Sequence, residues 1–307
     1  MENEFGKVAV LMGGQSSERE ISLLSGNAVL QALQSAEIEA VGIDTDNDFY
    51  TAIKKEQFDR AFIMLHGSFG EDGRVQAALD LMNIPYTGSG HLASALAMDK
   101  VRSKMLWTTQ GLNTPDFVIL SGDSNWQAII DRLGKCFVKP VSDGSSLGIS
   151  RAEDAQQLKT AYEYALQFDD AVFAEQWIEG LEYTVPIVNN KVLPVIELQT
   201  NNFFYDYAAK YEADDTVYLC PCDLNLEDDK ELKMLANDAY QLLGCRGWGR
   251  VDLMRDKQGK FWLLEVNTIP GMMSHSLVPK SAAEAGMNFQ QLVIEILKSS
   301  KLKRGSL

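Results

Sequence analysis

Four side chains late in the chain have the types and spacing for cation and anion chemistry. Arg250 and Asp252 lie in Gly247-Trp248-Gly249-Arg250-Val251-Asp252-Leu253-Met254, and Glu265 and Asn267 lie in Phe261-Trp262-Leu263-Leu264-Glu265-Val266-Asn267. Both stretches carry β-branched or aromatic residues and read as strands. Asp256-Lys257-Gln258-Gly259, within a turn over 255–260, supplies the chemistry that closes them into a hairpin. Strand side chains alternate faces, so Arg250 shares a side with Asp252, and Glu265 shares a side with Asn267. A turn of two or four residues merges those sides and sets Asp252 opposite or diagonal to Glu265, roughly 4.5 to 8 Å apart at Cβ. An odd turn without a bulge would separate them. Asp, Glu and Asn oxygens on one face suit a hard cation such as Mg²⁺, which keeps waters and takes further ligands from substrate phosphates. Solvent-facing carboxylates are the plainer alternative. The apolar Leu263, Leu264 and Val266 favour a strand buried on both faces instead, where a carboxylate needs a metal or an arginine beside it.

Elements that could hold such a hairpin precede it. Val8-Ala9-Val10-Leu11-Met12 reads as a buried strand, followed by Gly13-Gly14-Gln15-Ser16-Ser17-Glu18 and a helix over 19–34. The helix N-terminus favours an anion, although a Gly-Gly turn can equally be a tight strand-to-helix connection. Glu18 either receives a substrate ammonium at that mouth or caps the helix. Strands over 39–43 and 59–65, alternating with helices over 49–55 and 75–82, imply a parallel, doubly wound sheet. Its third strand runs into His66-Gly67-Ser68-Phe69-Gly70-Glu71-Asp72-Gly73, at the carboxyl end where open α/β sheets bind ligands. His66 taken alone also reads as a structural histidine.

A helix opening at Met98-Asp99-Lys100 and running to Gln110 begins a second unit, with strands over 116–120 and 136–141. The second of these ends at Lys139-Pro140 and enters Ser142-Asp143-Gly144-Ser145-Ser146-Leu147-Gly148. Amides, hydroxyls and a lysine there are groups that cover a polyphosphate, or they form a surface turn. The Gly-Lys-Ser/Thr order of a P-loop is missing. Phe173 to Glu182 could line an adenine pocket, with Glu182 on the ribose, or serve as a hinge. Phe203-Phe204-Tyr205-Asp206-Tyr207-Ala208-Ala209-Lys210-Tyr211 lacks both helical and strand periodicity and reads as a lid or a packing loop. An amphipathic helix over 289–297 closes the chain.

Composition narrows the function classes. The 307 residues are 46% hydrophobic and 23% charged, enough for two or three domains. A net charge of −15 argues against a nucleic acid partner. Cys136, Cys220, Cys222 and Cys245 lack zinc spacing and suit reduced thiols. The start carries no signal-peptide pattern and no apolar run reaches membrane length, so the expectation is a soluble, cytoplasmic protein without a membrane partner.

Gly13-Gly14 with Ser16 and Glu18, Leu65-His66-Gly67 with Gly70-Glu71-Asp72-Gly73, Pro85-Tyr86-Thr87-Gly88-Ser89-Gly90, Met98-Asp99-Lys100, Gly144-Ser145-Ser146, Lys210-Tyr211, Gly249-Arg250-Val251-Asp252 and Glu265-Val266-Asn267-Thr268-Ile269-Pro270-Gly271 follow one another over almost the whole chain. In this order they resemble the D-alanine–D-alanine ligase family of ATP-grasp enzymes. The resemblance implies an α/β fold, α+β in its carboxyl half, with a three-domain ATP-grasp architecture. An N-terminal domain over 1–96 would carry the parallel doubly wound sheet, a central domain over 97–182 the phosphate loop, and a C-terminal domain over 183–307 the metal hairpin and lid. The implied reaction joins two D-alanines through a D-alanyl phosphate, with ADP and phosphate released, for peptidoglycan precursor synthesis.

The same resemblance assigns residues. ATP would lie between the central and C-terminal domains against Lys100, Lys139, Ser146, Glu175, Trp177, Ile178 and Glu182, with Lys210 near the γ-phosphate. Asp252, Glu265 and Asn267 would hold Mg²⁺, for which Mn²⁺ can substitute. Glu18 would bind the ammonium of the first D-alanine beside His66, and Glu18, Ser145 and Tyr211 would form a hydrogen-bonded set. Arg250 and the backbone near Gly271 would form the oxyanion site, and Ser276 and Leu277 would hold the second D-alanine. A homodimer built from the N-terminal domains is also implied. Two positions depart from the pattern: Ala208 stands where many relatives place an acidic lid residue, and Cys222 where a small residue is common. Tyr211 resembles the dipeptide-forming branch rather than relatives that accept D-lactate. Competing readings are another ATP-grasp carboxylate–amine ligase, which should lack Glu18 with Ser145 and Tyr211, and a dinucleotide oxidoreductase, for which the full G-x-G-x-x-G is missing. A non-catalytic nucleotide-binding module would lack the metal carboxylates.

Overall fold

Strands β1 (Val8–Met12), β2 (Ala40–Asp44) and β3 (Arg60–Ile63) form a parallel sheet in the order β2-β1-β3. The structure is a computed structural model and describes residues 4–46, 49–142, 148–199 and 217–300. β1 is buried along its length, as an apolar strand between two partners should be. The chain leaves β1 for one edge and then crosses to the other. Right-handed crossovers therefore place α1 (Arg19–Ser35) and α2 (Phe49–Lys55) on opposite faces, the doubly wound arrangement expected from the sequence.

After α3 (Arg74–Leu81) comes α4 (His91–Met98), a helix the sequence reading did not single out, and then α5 (Lys100–Thr109), the helix expected to open at Met98-Asp99-Lys100 and run to Gln110. Asp99 separates them with an extended backbone, and its carboxylate accepts the Arg102 N–H at 2.8 Å. An N-cap that starts the second helix ends the first. A four-stranded antiparallel sheet follows in the order β4-β7-β5-β6, from β4 (Phe117–Leu120), β5 (Cys136–Pro140), β6 (Ser150–Ala152) and β7 (Val172–Gln176). Helices α6 (Trp126–Leu133) and α7 (Ala155–Ala165) close its apolar cluster.

The last sheet is antiparallel, in the order β11-β10-β8-β12-β13, with β9 (Lys191–Val192) added to β8. Its strands are β8 (Gly180–Val188), β10 (Ile196–Gln199), β11 (Val217–Leu219), β12 (Trp248–Asp256) and β13 (Phe261–Asn267). Helix α8 (Leu226–Leu242) packs on it, and so do α4 and α5 through Ala93, Ala97 and Trp107. Helices α9 (Leu277–Glu284) and α10 (Phe289–Leu297) return to the first sheet and share its core with Trp248, Ile269 and Met272. The buried clusters thus cross the sequence boundaries expected near residues 96 and 182. Among the described residues no helix is long and apolar enough to cross a membrane. All four cysteines are free.

Candidate active site

The hairpin closes with an odd turn, corrected by a bulge. Asp256 donates its N–H to the Lys260 carbonyl at 3.0 Å, leaving a three-residue turn from Lys257 to Gly259, with Gly259 at φ +87°. That positive φ suits glycine in a three-residue hairpin loop. Leu253 pairs with Leu263, yet Asp252 pairs with Glu265 and Arg250 with Asn267. Leu264 is therefore the extra residue of a β-bulge, which turns the face of Glu265 by one step and sets it opposite Asp252. An even turn was expected to do this; an odd turn and a bulge give the same result.

On its other side β12 pairs with β8, with Thr184 against Asp252. Asp252 is only 7% exposed. One of its carboxylate oxygens accepts Arg250 Nε at 2.8 Å and the Thr184 hydroxyl at 2.5 Å. The other accepts Arg250 Nη2 at 2.7 Å and Asn267 Nδ2 at 2.9 Å. Four donors meet the roughly four lone-pair positions of a carboxylate. Lys100, the first residue of α5, places Nζ 3.3 Å from Glu265. Two facing carboxylates and an amide are the donor types a hard cation takes, and a cation bound here would displace one of the donors now on Asp252. Among the described residues no group of three or more His, Cys, Asp or Glu could hold a metal. The chain thus offers a partial oxygen set, which suits an ion that keeps waters and phosphates.

Beside this face, Lys139 on β5 pairs with Glu175 on β7, and so does Lys104, a residue the sequence reading did not single out. Burial pushes the Glu175 carboxyl up, but the two ammonium groups outweigh it and hold it below the ordinary range. The side chain of Glu175 thus anchors lysines. The Trp177 ring packs against Phe137 at 5.7 Å and under the Arg151 guanidinium at 3.9 Å. Ile178 is buried, and Glu182 on β8 lies in register with Met254. The helical spacing of Lys100 and Lys104, one turn apart, was the signal available for the missed lysine.

A second group of charges gathers at the end of the parallel sheet. Glu18 precedes α1 but makes no side-chain cap, so the capping alternative does not hold. Its carboxylate turns to the 66–73 loop, where an added Cβ on Gly67 would stand 2.7 Å from Glu18 Oε2. Gly67 also has φ +68°, so the loop needs glycine on both counts. Ser16 and His66 join here, the hydroxyl donating to the His66 carbonyl at 2.8 Å. His66 is buried, and its Nε2 has no hydrogen-bond partner among the described residues. Burial lowers its pKa, against the pull of Glu18, and leaves a neutral imidazole. The Gly13-Gly14 turn is tied by Arg19, which donates to the Gly14 carbonyl and to Asp44.

Glu71 stands within this group. It belongs to Gly70-Glu71-Asp72-Gly73, to which the sequence assigns no role. One oxygen accepts the Gly67 N–H at 2.7 Å and the other the Ile269 N–H at 3.2 Å, across 198 positions of sequence. Burial and then Glu18 push its carboxyl up to about 8, against the two amides. Between the ordinary 4.5 and about 8 the folded chain therefore binds a proton that the unfolded chain releases, and stability falls as pH rises through that window. Glu71→Gln, which cannot titrate, should flatten this part of the profile. Urea midpoints measured across the window check it, and an equally steep variant would refute the assignment.

The segment after β13 carries the remaining expected residues. Met272 donates its N–H to Ser25 on α1 at 3.1 Å, so with Ile269 the loop is fastened twice to the first unit. Gly271 and Ser276 face each other closely: an added Cβ on Gly271 would lie 3.2 Å from Ser276 Oγ. The Ser276 hydroxyl accepts the Met273 N–H at 3.0 Å, and Leu277 is buried in an apolar cluster with Ile196 and Leu198. Ser145, Ser146, Ala208, Lys210 and Tyr211 lie outside the described residues.

Comparison with known proteins bears on this geometry. A family model described as "D-ala D-ala ligase C-terminus" matches residues 106–298, and one described as "D-ala D-ala ligase N-terminus" matches residues 7–59 and 50–89. The chain is 53% identical over 293 residues to a D-alanine–D-alanine ligase of Saccharophagus degradans, covering 95% of this chain and 93% of that protein. It is similar to the crystal structure of D-alanine–D-alanine ligase from Bacillus anthracis, with TM-score 0.87 and 35% identity over 96% of this chain and 97% of that one. The Bacillus anthracis ligase complexed with ATP superposes with TM-score 0.85 and 34% identity over the same shares.

Proposed function

This chain belongs to the D-alanine–D-alanine ligase family, and from that premise we propose how its own residues carry the reaction. It joins two D-alanine molecules to D-alanyl-D-alanine with ATP, for peptidoglycan precursor synthesis. The observation that carries the residue assignment is the bulged pairing, which turns Arg250, Asp252, Glu265 and Asn267 to one face of the hairpin. Family membership removes the oxidoreductase and binding-module alternatives.

A carboxylate is a poor electrophile, so the first D-alanine must be activated. Glu18 holds its ammonium, with His66 beside it as a neutral hydrogen-bonding group. One oxygen of its carboxylate attacks the γ-phosphorus, ADP leaves, and D-alanyl phosphate remains. Lys139, braced by Glu175, and Lys100, beside Glu265, hold the polyphosphate. Trp177, Ile178 and Glu182 line the adenosine, and Ser146 and Lys210 complete the phosphate contacts. Asp252, Glu265 and Asn267 hold Mg²⁺, with Mn²⁺ as a substitute, which when bound neutralises phosphate charge.

The second D-alanine sits against Ser276 and Leu277, and its amine attacks the acyl carbonyl. Arg250 and the amide of Gly271 receive the oxyanion. The amine gives up a proton, phosphate leaves with the former carboxylate oxygen, and the dipeptide bond is formed. In this proposal Glu18, Ser145 and Tyr211 would form a hydrogen-bonded set joining the three domains, 1–96, 97–182 and 183–307. In the same proposal the protein acts in the cytoplasm as a homodimer on small molecules alone. Its charge of −15 supports this against a nucleic acid partner.

Phosphate release with ATP and Mg²⁺ should be stimulated by D-alanine and not by L-alanine or D-lactate. No stimulation by D-alanine would sink the substrate assignment. Formation of D-alanyl-D-lactate from a mixture of D-alanine and D-lactate, at a rate equal to that of the dipeptide, would sink the amine preference.

A further inference from the structure

Lys104 is fully buried, and the mechanism gives it no task. It lies one helical turn beyond Lys100 on α5 and leaves the same side of that helix. Its ammonium meets three acceptors: the Glu175 carboxylate, the Thr114 hydroxyl at 2.6 Å and the Leu263 carbonyl at 3.4 Å. An ammonium has three N–H donors, so this set saturates it. Thr114 in turn donates to the same Leu263 carbonyl at 2.8 Å.

These acceptors come from different parts of the molecule. Glu175 is on β7 of the four-stranded sheet, and its other oxygen receives Lys139. Leu263 is on β13 of the last sheet, immediately before the bulge that orients Glu265. Burial pulls the Lys104 ammonium below its ordinary range, and Glu175 opposes that pull. A buried ion pair is a weak source of stability, since apolar groups of similar volume often do as well. Its placement between two parts of one site is therefore informative. Lys100, Lys104 and Lys139 also set three ammonium groups against the two carboxylates Glu175 and Glu265, a surplus that suits an anionic phosphate.

We propose that Lys104 is a positioning residue for the nucleotide: it ties the carboxylate that braces Lys139 to the strand that presents Glu265, and so sets the spacing between phosphate lysine and metal face. This rests on the assignment of Lys139 to ATP and of Glu265 to the cation. Lys104→Met removes the tie without stranding a charge, because Glu175 keeps Lys139. Losing hydrogen bonds to a charged group predicts a dissociation constant for ATP with Mg²⁺ raised about tenfold. The KM for D-alanine should stay within about twofold, and the melting midpoint within about 5 °C.

An unchanged ATP dissociation constant overturns the proposal, as does a parallel rise in both constants with a large fall in melting midpoint. If Lys104→Met does not fold, Lys104→Gln is measured in the same way, and failure of both to fold assigns Lys104 to structure and overturns the proposal. Wild-type protein without saturable ATP binding would instead remove the nucleotide assignment itself, before any variant is compared.

Discussion

Asp252→Asn and Glu265→Gln should each lower D-alanine-dependent phosphate release by about a thousandfold, because several kcal/mol of charge stabilisation are lost and each 1.36 kcal/mol is tenfold in rate. Both substitutions remove charge and keep shape. The amide introduced at position 252 can still accept the Thr184 hydroxyl, and the one at position 265 still occupies the same side of the bulge. For Glu265→Gln, circular dichroism and the melting profile should stay close to wild type while turnover is lost; in Asp252→Asn the new amide nitrogen faces donors of Arg250 or Asn267, so the circular dichroism spectrum should be kept while the melting midpoint falls. A direct readout is Mn²⁺ binding in the presence of ATP, followed by electron paramagnetic resonance, which should weaken in both variants. Near-normal turnover in both would refute the metal assignment, and loss of fold in both would mean that the carboxylates serve only their present partners, Arg250 and Lys100.

Arg250→Met should lower dipeptide formation by about 10² to 10³-fold, the usual cost of one oxyanion donor. The loss should fall on the second half of the reaction. Isotope exchange between ADP and ATP, driven by D-alanine, reports acyl phosphate formation and should survive better than dipeptide synthesis. Arg250→Lys keeps the charge but not the two-pronged contact with Asp252, and should lie between the methionine variant and the wild type. Equal loss of both half-reactions would mean that Arg250 acts by holding Asp252 in place and receives no oxyanion. Arg250 is well placed for a double role, because its guanidinium lies on the same strand face as the carboxylates and only two residues from Asp252.

Much of this site was legible in the order of residues. The parallel sheet, the strand pair around the turn and the chemistry of the oxygen donors follow from local patterns: apolar runs, turn residues and alternation. The helix that Asp99 opens was legible as well, since an aspartate three residues before an available N–H is a capping signal, whereas α4 just before it was not singled out. Glu71 and Lys104 were missed for a different reason. Each acts through partners far away in sequence, Ile269 for the first, Glu175 and Leu263 for the second; the helical spacing from Lys100 marks the side of α5 on which Lys104 lies, but no local period announces the partners.

The hairpin marks the division most clearly. By itself the sequence determined that Asp252, Glu265, Asn267 and Arg250 would lie on two adjacent strands, since strand tendency and turn chemistry act within a few residues. Whether they would share a face was decided only in the folded molecule. The three-residue turn would have sent Glu265 to the wrong side, and the bulge at Leu264 brought it back. Register is a property of a pair of strands, set by all their neighbours together: here by β8 on one side of β12, and on β13 by Asn113 and Thr114, which bond the Leu263 amide and carbonyl. The chemistry was written along the chain, and its convergence required packing between residues more than a hundred positions apart.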